Sequence, residues 1–258
     1  MITMGMDIGS TTSKCVLLRD GAEIAAYALA PSGIGTDGPA MAYQEVLLRG
    51  GVPERDITRK MATGYGRKCW PPADGELSEL TAHALGCHFL LPEARTVIDI
   101  GGQDAKVVTL DDQGRMASFV MNDKCAAGTG RFLDVMAGIL KRDVDELGAL
   151  AAQAEHPVSI SSTCTVFAES EVISQLANGV AVPDVVAGIC KSVVVRVAAL
   201  ARRAGVREAV FMSGGVARNA GVRSALENDL GITLHTSELS QLAGALGAAI
   251  YGFQKMSR

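Results

Sequence analysis

Apolar stretches separated by glycine-containing turns make up the start of the chain. Residues 2–8 are mostly apolar and end at Gly9, and a second strand pattern at 14–18 closes on a turn at Asp20. Two such stretches joined by a short turn are typical of a β-hairpin. A third strand pattern then runs to residue 27. The N-terminal segment is therefore predicted to be a hairpin followed by a third strand.

The same pattern returns later in the chain. An apolar strand pattern at 97–100 ends at Gly101, and further strand patterns follow at 106–110 and 116–121. Equivalent residues of the two copies stand 92 positions apart: Asp7 and Asp99, Ile8 and Ile100, Gly9 and Gly101, Lys14 and Lys106, Val16 and Val108. Solenoid units are shorter, at about 20 to 50 residues. The repeat predicts a duplicated α/β fold whose two domains face each other, with each glycine turn pointing into the cleft between them.

Helices are predicted between and after the two copies. Apolar residues from Phe132 to Leu140 form one stripe at helical spacing, and Pro183 is placed as the first residue of a long helix. The predicted helices span 39–48, 76–90, 132–140, 167–176, 183–203, 217–228 and 239–252, with strands at 56–63 and 209–212. The last helix is small-sided and is predicted to pack on the first domain. The first domain is thus expected to comprise 1–94 and 239–258, and the second 95–238.

Composition excludes several classes of protein. The chain has 258 residues, of which 48% are hydrophobic and 20% charged, so a disordered chain is excluded. Its net charge of -4 and its lack of basic blocks argue against nucleic-acid and anionic-membrane partners. The N-terminus lacks the basic flank of a signal peptide, and the apolar stretch 242–253 is too short to span a bilayer. A cytoplasmic location is predicted, where the six cysteines need not form disulfides.

Three turns carry the chemistry of a nucleotide site. A strand that ends in Asp-Ile-Gly aims backbone N–H groups at a phosphate, and its carboxylate can hold Mg²⁺. Such turns occur at Asp7 and Asp99, and a third turn at Gly214-Gly215 leads into a helix. Each turn alone is consistent with an ordinary hairpin or strand-to-helix connection. The three together favour nucleotide binding.

These turns resemble those of the actin, heat-shock chaperone and sugar kinase superfamily. The resemblance implies the duplicated actin-like (ribonuclease H-like) fold, with ATP or ADP and Mg²⁺ in an interdomain cleft. It implies that Asp7 holds Mg²⁺ through water and that Asp99 or Gln103 orients the attacking water. A solvent-facing strand position is the alternative for Lys14. The nucleotide-binding residues that it implies are Gly9, Ser10, Thr11, Thr12, Ser13, Lys14, Gly101, Gly102, Gly214, Gly215 and Asn219.

Two cysteines precede predicted helices. Cys125 stands in a small-residue loop before the striped helix, and Cys164 directly before the next helix. A thiolate at a helix N-terminus is favoured by the macrodipole and by free N–H groups. An iron-sulfur cluster takes four thiolates, so two per chain predict a cluster on the twofold axis of a dimer. Buried free thiols are the alternative.

The segments 122–132 and 162–171 resemble the two cluster-binding segments of the 2-hydroxyacyl-CoA dehydratase activators, relatives of the ATPase subunits of benzoyl-CoA reductase. The resemblance covers the whole chain. It implies a homodimeric, oxygen-sensitive ATPase with one bridging [4Fe-4S] cluster held by Cys125 and Cys164. Ferredoxin or flavodoxin is the implied electron donor, and a dehydratase or a related double-cubane or reductase component the acceptor. A small-molecule kinase and a nucleotide-dependent scaffold with structural zinc are the competing functions.

The remaining cysteines have simpler interpretations. Cys15 and Cys190 fall in apolar strand and helix patterns and are predicted to be core residues. Cys87 stands four residues after His83, a spacing that can pair two zinc ligands, but the sequence offers no second pair. Cys69 receives no role.

Overall fold

The computed structural model describes residues 1–122, 125–161 and 164–256. Contacts divide the chain into two compact units. Unit 1 comprises Met1–Ala94, Leu110–Ala117 and Leu239–Arg258, and unit 2 comprises Arg95–Thr109 and Ser118–Glu238.

Unit 1 is built on a five-stranded sheet of order β3-β2-β1-β4-β5. Strands β1, β2 and β3 are antiparallel neighbours, whereas β4 runs parallel to β1 and β5 parallel to β4. Helix α8 contacts both α2 and β1. The elements are β1 (Ile2–Ile8), β2 (Ser13–Arg19), β3 (Glu23–Ala30), α1 (Gly38–Gly50), β4 (Ile57–Thr63), β5 (Gly75–Glu76), α2 (Glu79–Leu90) and α8 (Ala243–Gln254).

Unit 2 repeats this arrangement with a sheet of order β10-β9-β6-β7-β8. Strand β7 is antiparallel to β6, and β9 and β10 continue the sheet in parallel on the other side of β6. The elements are β6 (Thr96–Ile100), β7 (Ala105–Leu110), β8 (Met116–Asn122), α3 (Gly130–Leu140), α4 (Leu147–Ala151), α5 (Thr165–Ala177), α6 (Val182–Ala204), β9 (Val210–Ser213), α7 (Ala220–Leu230) and β10 (Leu234–His235). The duplicated α/β fold is confirmed.

The repeat extends beyond the hairpins to the helices that follow them. Helix α1 begins at Gly38 and α3 at Gly130, which are also 92 positions apart. At the same spacing, Cys125 occupies the position of Gly33. The loop that carries Cys125 is therefore the counterpart of an ordinary strand-to-helix loop in unit 1.

Several helix boundaries differ from the predicted ones because capping decides them. Helix α2 begins at Glu79 rather than 76, since the Ser78 hydroxyl accepts a hydrogen bond from the Thr81 N–H and caps the helix. Helix α7 begins at Ala220 rather than 217, because a 3₁₀ turn spans Gly215–Arg218. The short elements α4, β5 and β10 escape prediction because hydrophobic periodicity cannot be recognised over so few residues.

The small side chains of α8 allow it to lie directly on its neighbours in unit 1. A Cβ added to Gly5 would overlap the Ala245 carbonyl oxygen, and one added to Gly247 would overlap the Ala82 carbonyl oxygen. The helix thus packs against β1 and α2 at backbone distance. No helix among the described residues is long and apolar enough to cross a membrane.

Candidate functional site

The two hairpin turns are closed in the same way. The Gly9 N–H donates to the Thr12 carbonyl at 3.0 Å, and the Gly101 N–H donates to the Asp104 carbonyl at 2.9 Å. These two N–H groups are therefore hydrogen bonded within their own turns and are not available to a ligand. Among the described residues, the N–H groups of Ser10, Thr11 and Gly102 donate to no backbone carbonyl. Each turn therefore presents backbone donors that can bind an anion, as predicted for phosphate.

Asp7 lies at the end of β1, directly before the first turn. It is 4% exposed and faces Lys14 across the hairpin, with Lys14 Nζ 3.2 Å from Asp7 Oδ2. A Cβ on Gly64 would overlap Asp7 Oδ1, and one on Gly244 would lie 3.0 Å from Asp7 Oδ2. Two glycines thus let the backbone close around this carboxylate. The Lys14 side chain is 13% exposed, so the alternative of a solvent-facing lysine is wrong.

Asp99 repeats the position of Asp7 but is held more tightly. Its Oδ2 lies 3.1 Å from Lys106 Nζ, and its Oδ1 accepts a 2.7 Å hydrogen bond from the Ser213 hydroxyl of β9. Lys106 also lies 2.9 Å from Asp104 Oδ2. Each oxygen of the Asp99 carboxylate is thus already hydrogen bonded within the sheet.

The third turn adjoins the second one in unit 2. Gly214 has φ +84°, and an added Cβ would overlap the Ile100 carbonyl oxygen, so only glycine fits there. Asn219 caps α7 by accepting the Val222 N–H at 3.0 Å through Oδ1. Its Nδ2 is buried without a hydrogen-bond partner among the described residues. Such a buried donor indicates a missing ligand or water.

Two further predicted site residues, Ser13 and Gln103, differ in whether their side chains are available to a ligand. The Ser13 hydroxyl donates to the Ser32 carbonyl at 2.9 Å, so it fixes the loop that follows β3. The Gln103 side chain is exposed beside the second turn. The exposed Gln103 side chain can therefore reach a ligand on that turn, whereas the Ser13 hydroxyl is used to stabilise the loop after β3.

Cys125 is partly exposed and packs against the core of unit 2. Its carbonyl accepts a 3.3 Å hydrogen bond from Asn122 Nδ2. It lies five residues before α3, because a turn closed by the Thr129 hydroxyl on the Ala126 carbonyl at 2.7 Å intervenes. Cys125 therefore does not occupy the helix tip itself.

The first N–H groups of α3 bind the second turn instead. The Gly130 N–H donates to the Gly101 carbonyl at 2.9 Å, and the Arg131 N–H to the Gly102 carbonyl at 2.8 Å. Two adjacent hydrogen bonds thus join the turn to the helix that follows the Cys125 loop.

Cys164 is the N-cap residue of α5, and its carbonyl accepts the Ala168 N–H at 3.0 Å. The thiol is partly exposed. Before it, the Ser161 N–H donates to Glu171 Oε2 at 2.7 Å, and the Ser161 carbonyl accepts from the Ser192 hydroxyl at 3.2 Å. Residues 123–124 and 162–163 of the two cysteine segments lie outside the described residues.

The other cysteines differ in their environments. Burial raises the pKa of the Cys190 thiol to about 12 and that of Cys15 further still. Both are core residues, as predicted. Cys87 is also buried, whereas Cys69 is exposed.

Comparison with known proteins assigns the chain to a family. Residues 4–252 match the family described as the BadF/BadG/BcrA/BcrD ATPase family. The protein belongs to this ATPase family. It is 53% identical, over 99% of its length and 98% of the relative's, to the (R)-2-hydroxyglutaryl-CoA dehydratase activating ATPase of Acidaminococcus fermentans.

Solved structures agree with this membership. The activator of the 2-hydroxyisocaproyl-CoA dehydratase from Clostridium difficile with bound ADPNP is 51% identical, with a TM-score of 0.97 over 100% of this chain and 96% of that one. The ROK hexokinase from Thermus thermophilus is 16% identical, with a TM-score of 0.55 over 99% of this chain and 100% of that one. The second likeness concerns the fold alone.

Sequence reasoning missed three polar contacts of the site. The first, Asp104 to Lys106, joins residues two positions apart, and the second, Ser213 to Asp99, joins two strands 114 positions apart that no local pattern relates. The third, Glu171 to Ser161, spans ten positions around Cys164. Because Asp7 and Lys14 recur 92 positions later as Asp99 and Lys106, the repeat could have indicated that these two residues pair in both units, but none of the three missed contacts.

Proposed function

We propose that this protein is an ATP-dependent activator that couples ATP hydrolysis to the transfer of an electron into a 2-hydroxyacyl-CoA dehydratase or a related iron-sulfur enzyme. The names of its relatives and their identity over nearly the whole chain support the acceptor class. One structural observation carries the coupling: the Gly130 and Arg131 N–H groups bind the carbonyls of the second turn.

The nucleotide side of the proposal rests on the turns. The N–H groups of Ser10, Thr11 and Gly102 are donors suited to the phosphate oxygens of ATP. The Nδ2 of Asn219, which has no partner among the described residues, is a donor suited to its adenosine moiety. Asp7 supplies a carboxylate that can hold Mg²⁺ through water. We assign water orientation to Gln103, because its side chain is exposed in the second turn whereas Asp99 is buried and held by Lys106 and Ser213.

The thiols of Cys125 and Cys164 fit an iron-sulfur cluster by their chemistry. Both are unpaired and partly exposed, in contrast to the buried Cys15, Cys87 and Cys190. Two thiolates from each of two chains complete the four ligands of one [4Fe-4S] cluster, which requires a homodimer. When bound, such a cluster supplies one-electron transfer at low potential.

The surface next to Cys164 supports a protein partner. Val166 and Phe167, in the first turn of α5, are 65% and 66% exposed. Exposed apolar side chains beside a proposed redox group offer a contact surface for a partner protein. Reduced ferredoxin or flavodoxin is the proposed donor and the dehydratase the proposed acceptor.

Coupling follows from the contacts of α3. Any shift of the second turn on a change of ligand would reach α3 directly, because the Gly130 and Arg131 N–H groups bind the carbonyls of Gly101 and Gly102. The Cys125 loop ends at this helix tip. Nucleotide state thereby alters the surroundings of the thiol, which is how hydrolysis would bias electron transfer.

Anaerobic purification tests the proposal. We expect a brown homodimer with about two irons and two sulfides per chain, and ATP hydrolysis by the same preparation. Cys125→Ala and Cys164→Ala should each remove the iron, whereas Cys69→Ala should keep it. A colourless, iron-free protein that phosphorylates a sugar or pantothenate would instead identify a small-molecule kinase.

A further inference from the structure

We propose that Glu171 is a positioning residue for Cys164. Its carboxylate holds the N–H of Ser161, three residues before this cysteine, and thereby restricts the orientation in which the thiolate meets the metal. The inference rests on the proposed function, because it treats Cys164 as a cluster ligand.

The first step is the fixation of Ser161, three residues before Cys164. Its N–H donates to Glu171 Oε2 at 2.7 Å, and its carbonyl accepts the Ser192 hydroxyl at 3.2 Å. Both backbone groups of one loop residue are thus held by side chains. Ser192 is 3% exposed on α6, the long helix of the unit 2 core, so one of the two anchors is rigid.

The second step is the position of Glu171 on α5. Cys164 caps this helix, and the Cys164 carbonyl is bound by the Ala168 N–H at 3.0 Å. Glu171 lies on the same helix and reaches back to Ser161. Cys164 is therefore held at the start of α5, and Ser161, three residues before it, is held to the same helix by Glu171.

The third step is the strength of the contact. A distance of 2.7 Å between an N–H nitrogen and a carboxylate oxygen is that of a charge-assisted hydrogen bond. Mutation of a side chain that hydrogen bonds directly to a metal ligand typically costs about 10- to 100-fold in metal affinity, and we take this range as the upper bound for Glu171, which acts through Ser161. Glu169, two positions earlier on the same helix, offers a matched control of the same residue type.

The test measures iron release from the anaerobically purified full-length protein into excess bathophenanthroline disulfonate. We expect Glu171→Leu and Glu171→Asp to release iron faster than wild type, by at most about 10- to 100-fold, because Asp is one methylene too short to reach the Ser161 N–H. Glu171→Gln keeps an oxygen at the same reach and should release iron at nearly the wild-type rate. Glu169→Leu should match the wild type.

Two further measurements separate positioning from a general structural role. The reduction midpoint of the cluster should shift in Glu171→Asp and return in Glu171→Gln, while the iron-free forms of both unfold at the same temperature. Equal iron-release rates in wild type, Glu171→Asp and Glu171→Leu would overturn the inference. So would a Glu171→Gln variant that releases iron as fast as Glu171→Leu. Absence of iron from the wild type would instead overturn the proposed function.

Discussion

Lys106 and Asp99 form a buried ion pair across the second hairpin, with Nζ and Oδ2 3.1 Å apart and both side chains 2% exposed. The equivalent pair in unit 1, Lys14 and Asp7, has nearly the same separation, 3.2 Å, but Lys14 is 13% exposed. The duplication thus preserved the pair while burying one copy of it completely. A buried charge depends on its partner far more than an accessible one does.

Replacement of Lys106 should therefore destabilise the protein more than replacement of Lys14. Lys106→Met leaves the Asp99 and Asp104 carboxylates without their cation, and we expect the free energy of unfolding to fall by about 3 to 5 kcal/mol. Lys14→Met should cost less, since solvent reaches that site. Equilibrium urea denaturation measures both, and equal losses would contradict the difference in burial.

Gln103→Ala should slow ATP hydrolysis with little effect on protein stability. The side chain is exposed beside the second turn, so its removal leaves no buried group unsatisfied. Loss of a water-orienting amide should lower kcat by about 100-fold with KM for ATP nearly unchanged. Steady-state phosphate release measures this. An unaltered kcat would indicate that Asp99, and not Gln103, orients the attacking water.

Gly130→Pro should weaken the link between ATP hydrolysis and electron transfer. Thr129 has extended φ and ψ of -130° and 173°, so proline is compatible with the first helical position but removes the N–H that binds the Gly101 carbonyl. We expect electrons delivered to a dehydratase per ATP hydrolysed to fall about tenfold.

Gly130→Ala is the matched control for this variant. Its Cβ would lie 3.1 Å from the Gly101 oxygen, a tight contact, but the N–H remains. The ratio of electrons to ATP should stay close to that of wild type. If both variants behave alike, the added carbon rather than the hydrogen bond is responsible.

Thiol labelling of the folded protein should distinguish the exposed Cys69 from the buried Cys190. Burial raises the pKa of Cys190 to about 12, so its reactive thiolate stays negligible between pH 7 and 9. Exposed Cys69 should react with iodoacetamide. Peptide mapping by mass spectrometry distinguishes the two. Labelling of Cys190 before unfolding would contradict its burial.

The sequence was sufficient for the parts of the fold that repeat. The turns at Gly9 and Gly101 share a pattern and a spacing, and the structure closes both with equivalent hydrogen bonds. Helix tips were predicted less well: Cys125 was expected at a helix N-terminus, yet the α3 N–H groups bind the second turn. Periodicity locates a helix, but the partners of its first N–H groups depend on residues distant in sequence.

The same limit applies to side-chain contacts in the site. Ser213 meets Asp99 across 114 positions because β9 and β6 are parallel neighbours, and only the sheet order brings them together. Glu171 resembles any other surface glutamate of an amphipathic helix until its partner is known. Residue type and spacing were therefore enough to propose ligand residues, whereas the side chains that contact them could be found only in the structure.

The shared spacing of Gly33 and Cys125 bears on how such a protein can arise. In unit 1 an added Cβ at Gly33 would overlap the Gly9 carbonyl, so a thiol cannot be introduced there without displacing that turn. The corresponding loop of unit 2 accommodates a side chain. Of these two equivalent positions, only the one in unit 2 can therefore carry a thiol without rebuilding its surroundings, so the two halves of the repeat differ in what their loops can bind.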